Sequence, residues 1–384
     1  MSMRYKGGFI QEFFDPLTAG PATDATLYAW GLNSNGQLGT INTTSRSSPV
    51  QVSSDFGWST GAAGYQGGVV FIKNNGAMYA WGLNNNGQLG LNDRVKRSSP
   101  VQVGSLTTWL NAAATQYSTA AIKTDGTLWT WGENNSGQLG QNVVYTKFSS
   151  PVQVGALTNW SSITGTLFSF SAIKTDGTLW SCGSNSNGQL GLNTVYTQNK
   201  SSPTQVGTLT NWASASGGAY HVIATKTDGT MWSWGANNSG ALGLNISYLL
   251  KRSSPSQIGA LTTWSKVSAS YYGATAIKTD GTLWSWGYNG EGQVGDNTRT
   301  NRSSPVQIGT LTTWSSVASN GVDADINTFA IKTDGTLWAW GNNGVGALGD
   351  GTIIQRSSPV QIGSSTNWSK IIGGGASTFG IRLT

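Results

Sequence analysis

The sequence has few of the residues that carry most enzyme chemistry. Its 384 residues include a single cysteine, Cys182, and a single histidine, His221. One of each excludes the usual zinc clusters and any disulfide within the chain. A Ser-His-Asp triad would have to use His221, and no neighbouring residue marks that side chain as activated. The sequence therefore predicts a protein that is not an enzyme, with no catalytic residue, no metal site and no cofactor.

Charged residues are also scarce, at 10% of the chain, with 22 Lys and Arg against 16 Asp and Glu. Fourteen of the 22 cations recur at two positions of a repeated pattern, so we expect two dispersed rings of solvated side chains. Specific DNA binding needs several phosphates contacted together. The pattern thus predicts no specific nucleic-acid partner and leaves only a weak attraction to anionic surfaces. The two rings are Lys73, Lys123, Lys174, Lys226, Lys278, Lys332 and Arg382, and Arg46, Arg97, Lys147, Lys200, Arg252, Arg302 and Arg356.

No apolar run is long enough to span a bilayer, and residues 1–22 lack the apolar segment of a signal peptide. We therefore expect a soluble chain that is made in the cytosol and does not insert into a membrane.

What the chain has instead is a repeat of about fifty residues. A Trp-Gly pair or its variant recurs at intervals of 51, 50, 51, 52, 52 and 54 residues, and Ser-Ser-Pro and a later Trp recur equally often. Seven copies of each mark one domain of seven units over residues 23–384, preceded by an arm at residues 1–22. The pairs begin at Trp30, Trp81, Trp131, Cys182, Trp234, Trp286 and Trp340.

Each unit divides into four short strands. "SPVQIG" and "WSSVAS" come first, and "TFAIK" and "TLWAW" follow, joined by Asp-Gly. Asp-Gly between alternating apolar runs is typical of a hairpin with a type I′ turn, which needs positive φ at both central residues. Four-stranded sheets repeated radially must cover one another. The predicted fold is all-β, a seven-bladed β-propeller.

The two ends of the chain supply the parts of one blade. "FGIRLT" at 379–384 matches the third strand of a unit, and "TDATLYAWG" at 23–31 matches the missing turn and fourth strand. Ala25 stands where other units carry Gly, which fits a turn that is cut open at the termini. The sequence thus predicts ring closure by pairing of strand 26–31 with strand 379–384.

The eighteen tryptophans fall at three positions of the repeat, and we expect all of them in the core. Cys182 replaces one of them and is predicted to be a small buried hydrophobe.

"WGLNNNGQLG" at 81–90, with its period near 51, resembles the regulator of chromosome condensation repeats. The resemblance covers about residues 23–384 and implies a seven-bladed propeller with four-stranded blades. It also implies functions as different as nucleotide exchange on a small GTPase, chromatin binding and inhibition of another protein. Nucleotide exchange is disfavoured because such family members carry a protruding hairpin. The largest insertion here, "NGVDADIN" at 320–327, is too short to form one. His221 lies where the family often carries a histidine and is interpreted as structural, and the two carboxylates of "VDAD" at 322–325 are too few for calcium.

The arm is apolar for a terminal segment, with Phe9, Ile10, Phe13, Phe14 and Leu17. It is predicted either to fold back on the propeller or to dock onto a partner. Its "YKGGFI" also resembles the start of some virion proteins of marine bacteriophages.

Variation among the units is concentrated before Ser-Ser-Pro. The proline follows the last glycine of the Gly-Gln-Leu-Gly-type turn by 10, 10, 11, 12, 12, 10 and 10 positions. The three longest segments are adjacent and rich in apolar residues, which predicts either a partner-binding rim or local packing between loops. The predicted rim residues are Tyr145, Phe148, Tyr196, Tyr248, Leu249 and Leu250.

These features favour a structural and interaction protein. The most specific prediction is a bacteriophage virion component, present in several copies, whose arm docks on other virion proteins and whose rim faces a host protein or glycan. It would be found in the virion after assembly in the host cytoplasm. The alternatives are a cytoplasmic protein-binding regulator or inhibitor, and an enzyme that uses the central funnel.

Overall fold

The computed structural model describes residues 24–194, 196–321 and 325–384, which form seven four-stranded antiparallel sheets around a central channel. This is the predicted seven-bladed β-propeller. The arm residues Phe9, Ile10, Phe13, Phe14 and Leu17 lie outside the described residues, as do Val195 and residues 322–324 of the "VDAD" segment.

In six blades the strands run from the channel outwards in chain order, and in the seventh they run from two C-terminal strands to two N-terminal strands. The inner strands are β3 (Trp58–Ala63), β7 (Trp109–Ala114), β11 (Trp160–Gly165), β15 (Trp212–Gly217), β19 (Trp264–Ala269), β23 (Trp314–Asn320) and β27 (Trp368–Gly373). The second strands are β4 (Gly68–Lys73), β8 (Ser118–Lys123), β12 (Ser169–Lys174), β16 (His221–Lys226), β20 (Gly273–Lys278), β24 (Asn327–Lys332) and β28 (Ser377–Arg382). The third strands are β1 (Thr26–Gly31), β5 (Met78–Gly82), β9 (Leu128–Gly132), β13 (Leu179–Gly183), β17 (Met231–Gly235), β21 (Leu283–Gly287) and β25 (Leu337–Gly341). The outer strands are β2 (Arg46–Phe56), β6 (Arg97–Gln102), β10 (Phe148–Gln153), β14 (Lys200–Gln205), β18 (Arg252–Gln257), β22 (Arg302–Gln307) and β26 (Arg356–Gln361).

Blades 1 to 6 follow the chain from β3–β6 to β23–β26, and blade 7 combines β27, β28, β1 and β2. Each blade therefore begins with the strand of the closing Trp and ends with the Ser-Ser-Pro strand. The sequence pattern predicts the opposite order, with the Ser-Ser-Pro strand first in each unit. The reason is hydrogen bonding, because the Ser-Ser-Pro strand pairs with the Trp-Gly strand before it, as in Gly82 with Arg97. The described residues also include one short 3₁₀ turn at Asn238–Gly240.

The predicted ring closure is confirmed, although the C-terminal strand is Ser377–Arg382 and not 379–384 as expected. Strand β1 pairs with β28 over its whole length, from Thr26 opposite Arg382 to Gly31 opposite Ser377. The Ala25 carbonyl accepts the N–H of Trp58 at 3.2 Å, as the Gly76 carbonyl accepts that of Trp109 at 3.1 Å in the next blade. Ala25 is not among the residues with positive φ, so the open turn has the relaxed backbone that the alanine predicted.

The six continuous hairpins differ from the predicted type I′ turns. In blade 2 the Lys123 N–H donates to Thr127 O at 3.0 Å and Gly126 N–H donates to Lys123 O at 2.9 Å. Gly126 has a φ of 76°, but Asp125 is not left-handed. The loop therefore has three residues, a type I turn followed by a left-handed glycine, and only the glycine needs positive φ. Asp125 instead accepts hydrogen bonds from the backbone and hydroxyl of Thr127, at 3.0 and 2.6 Å.

Adjacent blades are joined through the anchor tryptophans of the third strands. Trp131 donates its Nε1–H to Gln88 O of the preceding blade at 2.9 Å, and the other five anchor tryptophans make equivalent bonds. Cys182 is buried, as predicted, and its Sγ lies 3.4 Å from Gln138 O. Its smaller side chain leaves a small apolar cavity between blades 2 and 3, lined by Leu139, Phe170 and Trp180 among others.

Two expectations about burial were wrong. Five tryptophans of the third strands are half-buried because their rings lie at the side of the blade, where Nε1 donates to a Thr hydroxyl. The cations before the turns are not a solvated ring, since each lies over two aromatic rings and four of them are buried. The tryptophans are Trp129, Trp180, Trp232, Trp284 and Trp338, and the buried cations are Lys123, Lys174, Lys226 and Lys278.

The propeller has two distinct faces because the chain reverses direction at every strand. We call one the hairpin face; it carries the turns between second and third strands and the loops that lead to the next blade. The other, the loop face, carries the short loops between inner and second strands and the long loops between third and outer strands. Backbone bonds such as Glu133 N–H to Tyr117 O, at 2.9 Å, connect the two kinds of loop.

Candidate functional site: the loop face

One buried asparagine in each blade shapes the long loop of the loop face. In blade 2 the Asn134 Oδ1 accepts the N–H of Leu139 at 3.0 Å, and its Nδ2 donates to Val143 O at 2.8 Å. In blade 4 Asn237 donates to Ser247 O at 2.9 Å. The asparagine thus ties the turn after each third strand to the tip of the long loop. It is the Asn of the Trp-Gly-x-Asn pattern, a signal that was visible in the sequence and to which no role was assigned.

The predicted rim residues lie mostly where they were expected, at the tips of the long loops of blades 2, 3 and 4. Tyr145 is 78% exposed and Leu249 is 90% exposed, and Tyr196, Tyr248 and Leu250 are exposed as well. Tyr145 has a φ of 61°, a left-handed conformation that is unusual for a bulky residue, and its N–H donates to Asn134 O at 2.9 Å. The fold therefore holds this ring out in solvent at some backbone cost.

The tyrosines of blades 3 and 4 pack against glycines of their own blades. A Cβ added at Gly188 would be 3.0 Å from the Tyr196 ring, and one at Gly240 would be 3.1 Å from the Tyr248 ring. The Lys251 ammonium of blade 4 lies 5.6 Å from the centroid of Tyr196 in blade 3. The three tyrosines thus occupy successive blades along the rim, and the ring contacts of the described residues do not join them to one another.

Phe148 is the exception among the predicted rim residues. It begins strand β10 opposite Gly132, is half-buried and packs against the core between blades 1 and 2. Other blades place Arg or Lys at this position. Exposed apolar side chains also occur outside the predicted segments, at Val95, Ile353, Ile354 and Ile41.

Aromatic residues that the sequence did not single out cover the centre of the loop face. Tyr65 and Tyr271 line the end of the channel with their ring centroids 5.8 Å apart, and Tyr271 also contacts Tyr220 and Tyr272 edge to face. Burial raises the pKa of Tyr65 above its ordinary range, and Tyr220 acts in the same direction. Tyr220 and Tyr272 stand at one loop position of the repeat, which also holds Tyr117 and Phe168, and this recurrence was visible in the sequence. Tyr65 and Tyr271 stand at other positions, and only the fold brings them to the channel.

The channel itself has a cavity volume of about 310 Å³ and is lined mainly by Gly, Ala, Ser, Thr, Val and Ile. None of the described lining residues is an Asp, Glu, His, Cys or Lys. His221 is buried in strand β16 with its Nε2 3.3 Å from Gly273 O, and burial lowers its pKa to about 4. Over residues 24–194, 196–321 and 325–384, no three His, Cys, Asp or Glu side chains gather to hold a metal ion. Within the same ranges, no helix is long and apolar enough to cross a membrane.

The seven-bladed fold and the loop face are typical of repeat propellers that bind other proteins. In such propellers the blades form the scaffold and the loops make the contacts. The model of the regulator of chromosome condensation (RCC1) repeat matches residues 24–70, 75–122, 125–165, 176–225, 228–277, 280–320 and 334–381. The chain belongs to this family, as its sequence resemblance predicted.

Curated relatives match about half of the chain. The probable E3 ubiquitin-protein ligase HERC6 of Homo sapiens is 27% identical over 204 residues, which are 51% of this chain and 19% of that protein. The ultraviolet-B receptor UVR8 of Arabidopsis thaliana is 26% identical over 50% of this chain and 43% of its own length. The mitochondrial RCC1 domain-containing protein RUG3 of the same plant is 30% identical over 50% of this chain and 44% of its own. The matched region thus spans less than half the length of each of these relatives.

Solved structures share the fold across nearly the whole chain. Yeast RCC1 (Prp20), solved bound to Kap60, has a TM-score of 0.85 at 18% identity and covers all of this chain, with 94% of its own chain matched. Human WBSCR16 has a TM-score of 0.81 at 18% identity, over 94% of this chain and 99% of its own. At this level of identity the likeness concerns the fold alone.

Proposed function

We propose that this chain is a non-enzymatic interaction protein that binds another protein through the loop face. The chain contributes a rigid platform, and the rim loops of blades 2 to 4 contribute the contacts. Loops whose backbones are already fixed lose little backbone entropy on binding, and tyrosine is among the residues enriched at interface hot spots.

The observation that carries the proposal is the exposure of Tyr145, Tyr248 and Leu249 on loops whose backbones are fixed by buried asparagines. Local packing alone would have buried these side chains between neighbouring loops. The left-handed φ of Tyr145 adds support, because backbone strain is retained mainly where function requires it.

The test replaces Tyr145, Tyr196 and Tyr248 together by alanine and compares partner capture by the full chain with that of the original protein. We expect the captured partner, identified by mass spectrometry, to be lost, with an unchanged melting temperature. The matched control replaces Leu106, Leu157 and Leu209, three half-exposed leucines on the hairpin face, by alanine. Partner capture that survives in the tyrosine variant, or that is lost equally in the leucine variant, would refute a rim-based interface.

A narrower form of the proposal is that the partner belongs to a virus particle. It rests on the Asn-, Gly-, Ser- and Thr-rich, charge-poor sequence and on the resemblance of "YKGGFI" to phage virion proteins. The partners would be other virion proteins or a host surface protein or glycan, with assembly in the host cytoplasm. Mass spectrometry of purified particles tests this, and absence of the chain from them contradicts it.

The alternative is a cytoplasmic regulator that binds or inhibits one soluble protein. Its support is the structural neighbour Prp20p of Saccharomyces cerevisiae, described with binding properties to Gsp1p and histones, which has a TM-score of 0.82 at 18% identity. Capture of one soluble partner at defined stoichiometry would favour the regulator over the virion component.

A further inference from the structure

We infer that the partner of the loop face is an acidic protein surface, a conclusion that rests on the proposed function and adds the chemistry of the partner. The inference comes from the distribution of charge between the two faces. Both faces carry many cations, but they differ in how those cations are used.

On the hairpin face, most cations contact other side chains of the propeller itself. Seven of the nine lie over pairs of aromatic rings, as Lys174 does at 4.9 and 3.7 Å from the Trp160 and Trp180 centroids. Seven aspartates share this face, and five of them follow a stacked lysine by two residues. The charges of this face therefore nearly cancel, with nine cations against seven carboxylates among the described residues. The aspartates are Asp24, Asp55, Asp125, Asp176, Asp228, Asp280 and Asp334.

On the loop face, most cations remain uncompensated. Arg97, Arg302 and Arg356 pair with Asp93, Asp296 and Asp350 at 2.5, 2.6 and 2.8 Å. The others include lysines bonded only to neutral oxygens: Lys96 to Asn35 Oδ1 at 2.7 Å, Lys147 to Asn86 Oδ1 at 2.5 Å, and Lys251 to Ser186 O at 3.4 Å. Eleven described cations face six described carboxylates here. The cations are Arg46, Arg94, Lys96, Arg97, Lys147, Lys200, Lys251, Arg252, Arg299, Arg302 and Arg356, and the carboxylates are Asp93, Glu133, Glu291, Asp296, Asp325 and Asp350.

The excess of positive charge coincides with the apolar rim. The long loops of blades 2 to 4 contribute Lys147, Lys200, Lys251 and Arg252 and the single carboxylate Glu133. Burial raises the pKa of Glu133, and Lys147 opposes the shift. Lys251 lies 5.6 Å from the Tyr196 ring centroid, and Lys147 and Lys251 follow Tyr145 and Tyr248 along their loops by two and three residues. The complementary surface therefore combines apolar contacts with Asp and Glu side chains.

A nucleic acid fits this surface less well than a protein does. Nucleic-acid binding uses a continuous basic groove and aromatic rings open on one face for stacking. Here the Tyr196 and Tyr248 rings lie against Gly188 and Gly240, and leucines occupy the tip of the blade 4 loop.

The experiment measures binding of the full chain to a fluorescent random copolymer of glutamate and tyrosine, with polyglutamate and double-stranded DNA as comparison probes. The variant pair is Lys147→Glu with Lys251→Glu. We expect it to weaken copolymer binding about tenfold or more near 0.05 M salt, mainly through the association rate, and to have little effect near 1 M salt, where charges are screened within about 3 Å.

The matched control is Lys266→Glu with Lys370→Glu, which changes the net charge equally on the hairpin face, where these lysines donate to Ser315 O and Ser59 O. Equal weakening by both pairs, absence of copolymer binding, or tighter binding of DNA through Lys147 and Lys251 would each overturn the inference. A different result separates the two proposals: the charge variants still capture the partner, but the triple tyrosine variant does not. The rim would then be the interface, and only the acidic character of the partner surface would be refuted.

Discussion

The Lys123 ammonium lies 3.6 Å from the centroid of the Trp129 ring and 5.0 Å from that of Trp109. Trp109 begins the inner strand of blade 2, Lys123 ends the second strand and Trp129 lies in the third. One lysine thus connects three strands, and it is buried at 7% exposure. Burial lowers the pKa of Lys123 because the ammonium loses water, while Asp125 opposes the shift. The same arrangement recurs in every blade, with Arg382 over Tyr28 and Trp368 in blade 7.

The first prediction concerns this stack. Lys123→Met keeps an unbranched side chain, one atom shorter, and removes its charge. We expect the attraction to the two rings to outweigh the desolvation of the ammonium, so the variant should lower the free energy of unfolding by about 1 kcal/mol. Urea unfolding followed by tryptophan fluorescence measures the change. Lys123→Arg is the control and should be tolerated, since Arg382 occupies the equivalent position. A Met variant as stable as the original would show that the lysine is retained for another reason.

The second prediction uses a residue that departs from its sister units. Ile41 has a φ of 67° and is 81% exposed, whereas five other blades carry Asn in the left-handed conformation at this position. The left-handed conformation costs a β-branched residue about 1–2 kcal/mol, and it costs Asn less. Ile41→Asn should therefore raise the free energy of unfolding by about 1 kcal/mol, and Asn92→Ile should lower it by a similar amount. Thermal melting of both variants is the measurement, and a destabilising Ile41→Asn would contradict the argument.

The third prediction concerns pH. His221 is neutral in the folded state down to about pH 4, because burial lowers its pKa to about 4 from 6.5. The unfolded chain binds a proton at this side chain below pH 6.5, so stability should fall as the pH drops from 6.5 to 4. The loss amounts to at most about 3 kcal/mol.

Denaturant titrations at several pH values test this with His221→Ser, which copies Ser118 of blade 2. The variant is expected to be less stable at pH 7 because it leaves a cavity, yet to lose less stability between pH 6.5 and 4. The pH profile in this window therefore reports the histidine, and an unchanged slope would show that other groups cause it. Below pH 4 a further loss is expected, because hydrogen bonds from Thr127 lower the pKa of Asp125 and equivalent bonds act in four other blades.

The fourth prediction concerns ring closure. Removal of residues 379–384 deletes most of β28, the strand that joins β27 to β1 in blade 7. We expect loss of cooperative thermal unfolding or a chain that does not fold, because blade 7 would be divided and the ring opened. Removal of Leu383 and Thr384 alone leaves β28 intact and should change the melting temperature only slightly. A normal melting curve for the longer deletion would show that the ring does not depend on this strand.

The fifth prediction concerns Cys182. Burial raises the pKa of its thiol to about 12. At neutral pH the group is protonated and enclosed between blades, and should react with iodoacetamide only on unfolding. Mass spectrometry of the native and the urea-unfolded protein measures the modification, and rapid labelling of the native chain would contradict the buried position.

The sequence by itself determined the number of blades, their strand content and the closure of the ring. These features are repeated or local: six Trp-Gly pairs and one Cys-Gly pair, Asp-Gly turns, and the open turn at Ala25. Such features can be recognised in the sequence because a repeat shows its period directly and a turn depends on a few adjacent residues. The rim tyrosines could be predicted in the same way, from loops that are longer and more apolar than their sister loops.

The tertiary structure alone decided what each repeated residue touches. Lys123 is buried because the Trp109 and Trp129 rings both lie against its ammonium group. Phe148 is half-buried because it packs against the core between blades 1 and 2. The difference in charge between the two faces has the same origin. Because the chain reverses at every strand, alternate segments lie on opposite faces. Cations that recur along the sequence are therefore nearly balanced by carboxylates on one face and outnumber them on the other.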